Sequence, residues 1–213
     1  MSLFITLEGP EGGGKTSQAM QLVEHLQAQG HDVLHSREPG GTYIGEQIRR
    51  ILFSLDNTLM HPRTEFLLFS AARAQHVNEV ILPQLEKGLV VVCDRFYDAS
   101  LAYQGHGHEL DLDSLRSITT FATGGLIPDL TLLLDLPIEE GLKRREQDGN
   151  WNRLDAYDLA FHHRVREGYL AMAAAEPERW VVIDALLPIN EVQKEIRRVV
   201  DARLSGGEES RPS

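Results

Sequence analysis

The run Gly9-Pro10-Glu11-Gly12-Gly13-Gly14-Lys15-Thr16 sets a lysine and a hydroxyl at the end of a glycine-rich turn, a combination suited to holding a triphosphate. Glycines let successive backbone N–H groups curl around phosphate oxygens. Lys15 brings positive charge to the β and γ phosphates, and Thr16 offers its hydroxyl to Mg²⁺. A second pair follows the apolar run Val90-Val91-Val92-Cys93: Asp94, an acid able to sit near that metal, and Arg95, whose planar fork suits a second phosphate. A third group, Lys143-Arg144-Arg145, precedes the glycine- and amide-bearing stretch Asp148-Gly149-Asn150-Trp151-Asn152-Arg153. This pattern predicts a lid over about 143–155 that closes cations on a nucleotide, with Arg153 as its catalytic candidate. Lys143 and Arg144 suit equally the task of offsetting a helix dipole.

The elements that must carry these groups follow from hydrophobic patterning. Apolar runs at Leu3 to Leu7, Val33 to Leu34, Leu89 to Cys93, Leu130 to Leu136 and Trp180 to Ile183 predict buried strands. Between them, Ser17 to Gln29, Pro62 to Leu85, Phe161 to Ala175 and Ile189 to Leu204 have helical periodicity. The alternation predicts an α/β fold, a five-stranded parallel sheet with helices on both faces. Ligands in such sheets collect at the carboxyl ends of the strands, where Glu8, Asp94 and Asp184 emerge.

The chain has 213 residues with 42% apolar content, enough for one domain with a substantial core. A net charge of -11 argues against a broad nucleic-acid surface, so a polyanionic ligand must be met by local arginines. The single cysteine, Cys93, sits in an apolar run and reads as a small core residue. With no signal-like segment and no long apolar run, the expectation is a cytoplasmic protein without a membrane partner. One domain is expected over 1–204, with Ser205 to Ser213 a frayed tail lacking any apolar residue to dock. His106 and His108 form an H-x-H pair with no third partner at useful spacing, and a solvated loop accounts for them better than zinc.

Several motifs, taken in order, closely resemble the bacterial thymidylate kinase family over nearly the whole chain. They are Leu7 to Thr16, Arg37-Glu38-Pro39-Gly40-Gly41-Thr42, Phe69-Ser70-Ala71-Ala72-Arg73, Asp94-Arg95-Phe96 with Ser100 and Ala102-Tyr103-Gln104-Gly105, and Arg164-Val165-Arg166-Glu167-Gly168-Tyr169. The resemblance implies a P-loop fold, ATP-dependent phosphorylation of dTMP with Mg²⁺, and a homodimer with helices such as Pro62 to Leu85 as candidates for the shared face. It implies that Phe69 stacks on thymine, that Arg73 bonds the base's carbonyl edge, and that Gln104 reads the base further. Tyr103 would crowd the 2′ side of the sugar and Glu11 would reach the 3′-hydroxyl. Arg49 and Arg95 would hold the acceptor phosphate, and Ser100 belongs to the same site. Adenine would lie near Arg144 and the turn Asp184-Ala185-Leu186-Leu187.

The phosphate loop carries no arginine at its variable positions, so the resemblance implies the type whose catalytic arginine comes from the lid. The lid motif departs from the commoner Asp-Arg followed two residues on by an acid, since it reads Asn152-Arg153-Leu154-Asp155. Two rivals remain at this stage. One is a P-loop kinase acting on another monophosphate or a metabolite, which the base-reading set alone separates. The other is a nucleotide switch, which has no use for a second phosphate pocket and usually shows an Asn-Lys-x-Asp sequence absent here.

Overall fold

Five strands, Leu3–Glu8 (β1), Val33–Arg37 (β2), Val90–Asp94 (β3), Leu130–Asp135 (β4) and Trp180–Asp184 (β5), pair in parallel in the order β2-β3-β1-β4-β5. The computed structural model describes residues 2–147, 149 and 151–208. β1 is buried along its entire length, as an apolar strand covered on both faces must be, while the edge strand β2 is only partly covered. The chain leaves β1 in one direction for β2 and β3 and returns on the other side for β4. The crevice at the carboxyl end of β1 is therefore the switch point of the sheet, with Glu8 and Asp94 at its rim.

Helices Lys15–Ala28 (α1) and Ile189–Glu208 (α9) cover one face, their apolar stripes closing on Ile5, Leu7, Leu132 and Leu134. The other face carries Tyr43–Phe53 (α2), Pro62–His76 (α3), Leu82–Glu86 (α4), Tyr97–Ser100 (α5), Leu112–Thr123 (α6) and Leu159–Ala175 (α8), with Ile138–Gln147 (α7) following β4. The expected long helix Pro62 to Leu85 forms, but Val77–Ile81 loosens into a π-helical turn ahead of Pro83. Proline has no N–H to donate and crowds the turn before it, so a wider turn there relieves the ladder. A second π-helical segment, Leu101–Gly107, continues α5 and carries Tyr103 and Gln104.

Helices α2 and α6 are absent from the sequence expectation. Each is capped by a side chain that marks its start, Thr42 accepting from the N–H of Gly45 and Asp111 from the N–H of Ser114. The expected tail is corrected in its first part: α9 runs on from Leu204 through Ser205 to Glu208. Leu204 is buried at its end, and Arg203 donates to the Glu178 carbonyl, so the last turns have anchors that the polar composition conceals. Residues 209–213 lie outside the described residues.

The phosphate loop is wedged against its neighbours without room for side chains. Gly12 (φ +71°) lies so close to Gly141 of α7 that a Cβ on either would strike the other segment's backbone carbonyl, Gly141 O from Gly12 and Glu11 O from Gly141. Replacing Gly141 by alanine adds helix propensity yet forces α7 off the loop. Gly141→Ala is expected to lower stability by about 1–3 kcal/mol in urea unfolding, because overpacking against rigid backbone outweighs propensity. Unchanged or increased stability would show that α7 and the loop are not locked together.

Candidate functional site

Gly14 adopts a left-handed conformation (φ 78°) that turns the loop into α1, and Lys15 is the helix's first residue. The Lys15 ammonium is buried and donates to the carbonyls of Gly9 at 3.1 Å and Pro10 at 2.6 Å. Burial, and then the nearby Arg95 cation, lower its pKa to about 8 against the pull of Glu11, Asp94 and Glu8. Gly13 fits against the Leu134 carbonyl. The hydroxyl of Thr16 donates to Asp94 Oδ2, bringing the two expected metal-side residues into direct contact across the ends of β1 and β3.

These groups open into a cleft of roughly 310 Å³ whose walls include Glu11, Lys15, Arg49, Phe69, Arg95 and Tyr103. Arg95 takes a left-handed backbone (φ 66°), held by its N–H on the Leu7 carbonyl at 3.0 Å. Nη1 donates to the Gly9 carbonyl (3.1 Å) and the Tyr169 hydroxyl (3.0 Å). Nη2 donates to Glu11 Oε1 (2.8 Å) and Tyr103 Oη (3.2 Å). Tyr103 in turn donates to Glu11 at 2.7 Å, so the residue expected at the 3′-hydroxyl and the one expected at the 2′ side form one cluster. For Glu11, burial opposes ionisation, but Arg95, Lys15, Tyr103 and Arg145 outweigh it and hold the pKa near 2. Arg49 donates to the Pro39 carbonyl at 2.8 Å and lies over the Phe53 ring on the same side of the cleft.

The base-reading candidates share one face of α3. Glu65, Phe69, Arg73 and His76 recur at helical spacing, and Phe69 stands at the cleft wall beside Ser100 and Gln104. Arg73 is 1% exposed; Nε donates to Glu38 Oε2 at 2.7 Å and Nη2 to the Ser100 hydroxyl at 3.0 Å and the Phe96 carbonyl at 3.3 Å. Its Nη1 is buried with no hydrogen-bond partner in the protein. Gln104 Nε2 donates to Glu65 Oε1 at 2.6 Å, which leaves Gln104 Oε1 likewise buried and unpaired. His76 bridges Glu38 Oε1 (3.1 Å) and the Ser36 hydroxyl (2.6 Å), fixing the carboxylate that holds Arg73.

The lid region requires corrections. Positions 143–147 are the last turns of α7, Asp148 and Asn150 lie outside the described residues, and Trp151 is exposed. Arg153, expected at the transferring phosphate, is buried away from the cleft lining. Nε donates to the Leu52 carbonyl at 2.9 Å, Nη1 to the Tyr157 hydroxyl at 2.8 Å, and Nη2 lies 2.5 Å from Glu65 Oε2. A buried carboxylate on α3 draws the guanidinium inward, since neither charge tolerates burial alone. Arg145 is the cation from this region that lines the cleft, supported by Asp155 at 3.2 Å. Arg144 donates to the Ala185 carbonyl at 3.0 Å and pairs with Glu140, which sets it at the turn expected to meet adenine but not in the cleft wall.

Sequence reasoning missed Glu65, Glu38, His76 and Tyr169 as parts of the site. Glu65 had a legible signal, four residues before Phe69 and eight before Arg73 on one helix face. Tyr169 and Glu8 meet only through the fold: the Tyr169 hydroxyl donates to Glu8 Oε2 at 2.8 Å across 161 residues.

A cleft at the sheet's switch point that holds a phosphate loop on one wall and arginine forks with an aromatic face on the other is the arrangement of a P-loop nucleotide phosphotransferase. Comparisons with known proteins give the family. The thymidylate kinase family model matches residues 7–196. The chain is 50% identical to the thymidylate kinase of Roseiflexus castenholzii over 96% of this chain and 95% of the relative. It is 52% identical to that of Deinococcus radiodurans over 94% and 97%. A crystal structure of thymidylate kinase from Ehrlichia chaffeensis superposes with a TM-score of 0.77 at 31% identity, covering 93% of this chain and 98% of that one. The chain belongs to the thymidylate kinase family.

Beneath the cleft, Glu8 is fully buried and accepts from the Phe96 N–H at 2.7 Å as well as from Tyr169. Burial, with Asp98 nearby, pushes its pKa up to about 7, while Arg95, Phe96 and Tyr169 pull it partly back. The unfolded chain releases this proton near 4.5 and the folded one near 7, so between those values the folded state binds more protons and rising pH favours unfolding. Urea unfolding at pH 5 and pH 7.5 is expected to show wild type losing on the order of 1–3 kcal/mol relative to Glu8→Gln across that window. A constant difference between the two proteins would mean that Glu8 is already ionised at pH 5.

Proposed function

We propose that the protein transfers the γ-phosphoryl group of ATP to dTMP, giving dTDP for dTTP synthesis. Membership of the thymidylate kinase family supports dTMP phosphorylation directly. The observation that carries the base assignment is a pair of unpaired buried atoms: an acceptor, Gln104 Oε1, on the cleft wall with Phe69 and Ser100, and a donor, Arg73 Nη1, on the guanidinium bonded to Ser100 behind that wall. A thymine edge offers the complement, a carbonyl that accepts and a ring N–H that donates. Each buried atom left without a partner costs about 1–3 kcal/mol, so a base that satisfies both is strongly selected. The Phe69 face supplies stacking that any base would accept, and these polar atoms supply the discrimination.

Thr16 and Asp94 suit Mg²⁺, which takes hard oxygen ligands and is commonly held by one or two protein groups together with substrate phosphates and water. Among the described residues there is no cluster of three or more His, Cys, Asp or Glu that could hold a metal, and the Mg²⁺ reading does not require one. When bound, Mg²⁺ neutralises charge on the β and γ phosphate oxygens.

The remaining chemistry belongs to the chain's own residues. The dTMP phosphate is already ionised near neutral pH, so no strong general base is required and positioning dominates. Arg49 and Arg95 orient the acceptor phosphate, and Glu11 and Tyr103 shape the sugar pocket between it and the loop. Lys15 leaves the Gly9 and Pro10 carbonyls for the donor phosphates, and loop N–H groups from Gly12 to Thr16 surround them. Arg145 is the cation that the lid end of α7 already presents to the cleft. Arg153 reaches the phosphates only when its pair with Glu65 opens. Closure of this region excludes water and suppresses ATP hydrolysis.

No helix among the described residues is long and apolar enough to cross a membrane. The substrates, ATP and a deoxynucleotide, make the cytoplasm the proposed setting, without nucleic-acid or membrane partners. The proposed assembly is a homodimer, seated on exposed Ile51, Leu67 and Phe121, which lie on α2, α3 and α6 beside one another on one side of the sheet. Light scattering is expected to give twice the 23.9 kDa of one chain, and a monomer mass at assay concentration would remove this part of the reading.

The decisive experiment follows ADP release with Mg²⁺ and ATP against dTMP, dUMP, dCMP, dGMP, AMP and no acceptor. Strong preference for dTMP is expected. Acceptor-independent ADP release, or preference for another monophosphate, would overturn the roles given to Phe69, Arg73, Tyr103 and Gln104.

A further inference from the structure

Glu65 is fully buried behind Gln104 of the cleft wall and accepts from two sides. Its Oε1 receives the Gln104 amide N–H₂ at 2.6 Å, with His108 Nε2 at 3.5 Å. Its Oε2 receives the Tyr157 hydroxyl at 3.1 Å and faces Arg153 Nη2 at 2.5 Å. Burial opposes its charge, but His108, Arg153 and Gln104 together hold its pKa below the usual carboxylate value. An ionised carboxylate only accepts. The Gln104 amide must therefore turn its nitrogen toward Glu65, and its oxygen is the atom left unpaired at the pocket.

We propose that Glu65 sets the base specificity of the acceptor site as a positioning residue, locking Gln104 so that it presents an acceptor and never a donor. The inference rests on the base-site reading above. With oxygen presented, Gln104 matches a pyrimidine whose ring nitrogen carries hydrogen, as in thymine and uracil. Cytosine places a bare acceptor nitrogen at the same position, so two lone pairs meet in a buried site. Without the lock the amide is free to turn, since its two ends have nearly the same shape and opposite hydrogen-bonding sense.

Glu65→Gln inverts the lock in a defined way. Arg153 and Tyr157 can only donate on one side, whereas the His108 ring beside Gln104 becomes an acceptor in its other neutral tautomer, so the new carbonyl oxygen turns to Arg153 and Tyr157 and the new N–H₂ faces Gln104 and His108. Gln104 then turns its own oxygen inward and presents N–H₂ to the base. The experiment measures kcat/KM for dTMP, dUMP and dCMP with wild type and Glu65→Gln at saturating ATP. The dTMP-to-dCMP ratio is expected to fall roughly 10-fold or more, as one mismatched buried contact is exchanged for a matched one. The dTMP-to-dUMP ratio is expected to stay constant, because both bases show Gln104 the same edge.

An equal loss for all three acceptors would reduce Glu65 to a structural role and overturn the inference while leaving the base site intact. A wild type that does not favour dTMP over dCMP would instead overturn the base-site reading itself. Removing one member of a buried ion pair can unfold a protein. If Glu65→Gln does not fold, Glu65→Gln with Arg153→Met removes both charges together. The dTMP-to-dCMP ratio is expected to narrow in that protein as well, and an unchanged ratio there overturns the inference.

Discussion

The guanidinium of Arg95 is the joint on which both halves of the cleft depend. One nitrogen holds the Gly9 carbonyl at the root of the phosphate loop and the Tyr169 hydroxyl; the other holds Glu11 within the loop and Tyr103 on the cleft wall. A lysine has no planar fork with which to span these four partners. Burial works against the cation, and Glu11, the two tyrosines and Glu8 more than offset it, holding its pKa well above the usual value. The left-handed backbone at Arg95, a cost of about 1 kcal/mol or more for a residue with a side chain, aims the guanidinium back across the end of β1. The phosphate loop and the cleft wall at Tyr103 are thereby tied together by one side chain and its acceptors.

Around that joint, α3 supplies part of one wall of the cleft, and the sheet end supplies the phosphate loop. Glu65, Phe69 and Arg73 are spaced so that a single straight helix sets their relative positions. Each polar member is held from behind: Glu38 holds Arg73, His76 holds Glu38, and Glu65 holds Gln104. The Glu38 and Arg73 side chains are 3% and 1% exposed, so each charge is shielded from water and depends on the other for compensation. Polar groups supported in this way keep their orientation without a ligand to organise them, which lowers the ordering cost of binding.

Much of this was legible in the residue order. Continuous apolar runs identified β1, β3 and β4, because strands buried on both faces need no polar alternation, and shorter apolar runs marked the partly covered edge strands β2 and β5. The phosphate loop, Asp94 and Arg95 were readable because their chemistry is local to a few consecutive residues. Helices α2 and α6 escaped although each carries an apolar stripe, as their capping residues Thr42 and Asp111 resemble ordinary turn residues. The extent of α9 escaped because its tether, Arg203 on the Glu178 carbonyl, joins segments that composition treats separately. Long-range partners escaped altogether: no spacing rule connects Glu8 with Tyr169, or Glu65 with Arg153.

Arg153 shows most directly what sequence pattern leaves open. A lid motif fixes that an arginine follows a glycine- and amide-bearing stretch, but the guanidinium goes wherever the strongest anionic acceptor within reach lies. In this fold that acceptor is Glu65, and Tyr157 one turn further on completes the inward geometry. Arg145 occupies the cleft wall instead, its orientation set by Asp155, the acid of the same motif. The buried Arg153–Glu65 pair adds little net stability once the desolvation of both ions is counted. Its consequence is geometric: the segment after α7 is moored to the same carboxylate that orients Gln104. Any displacement of Arg153 from Glu65 would change the charge that holds the Gln104 amide, because the segment after α7 and the cleft wall at Gln104 share one buried anion.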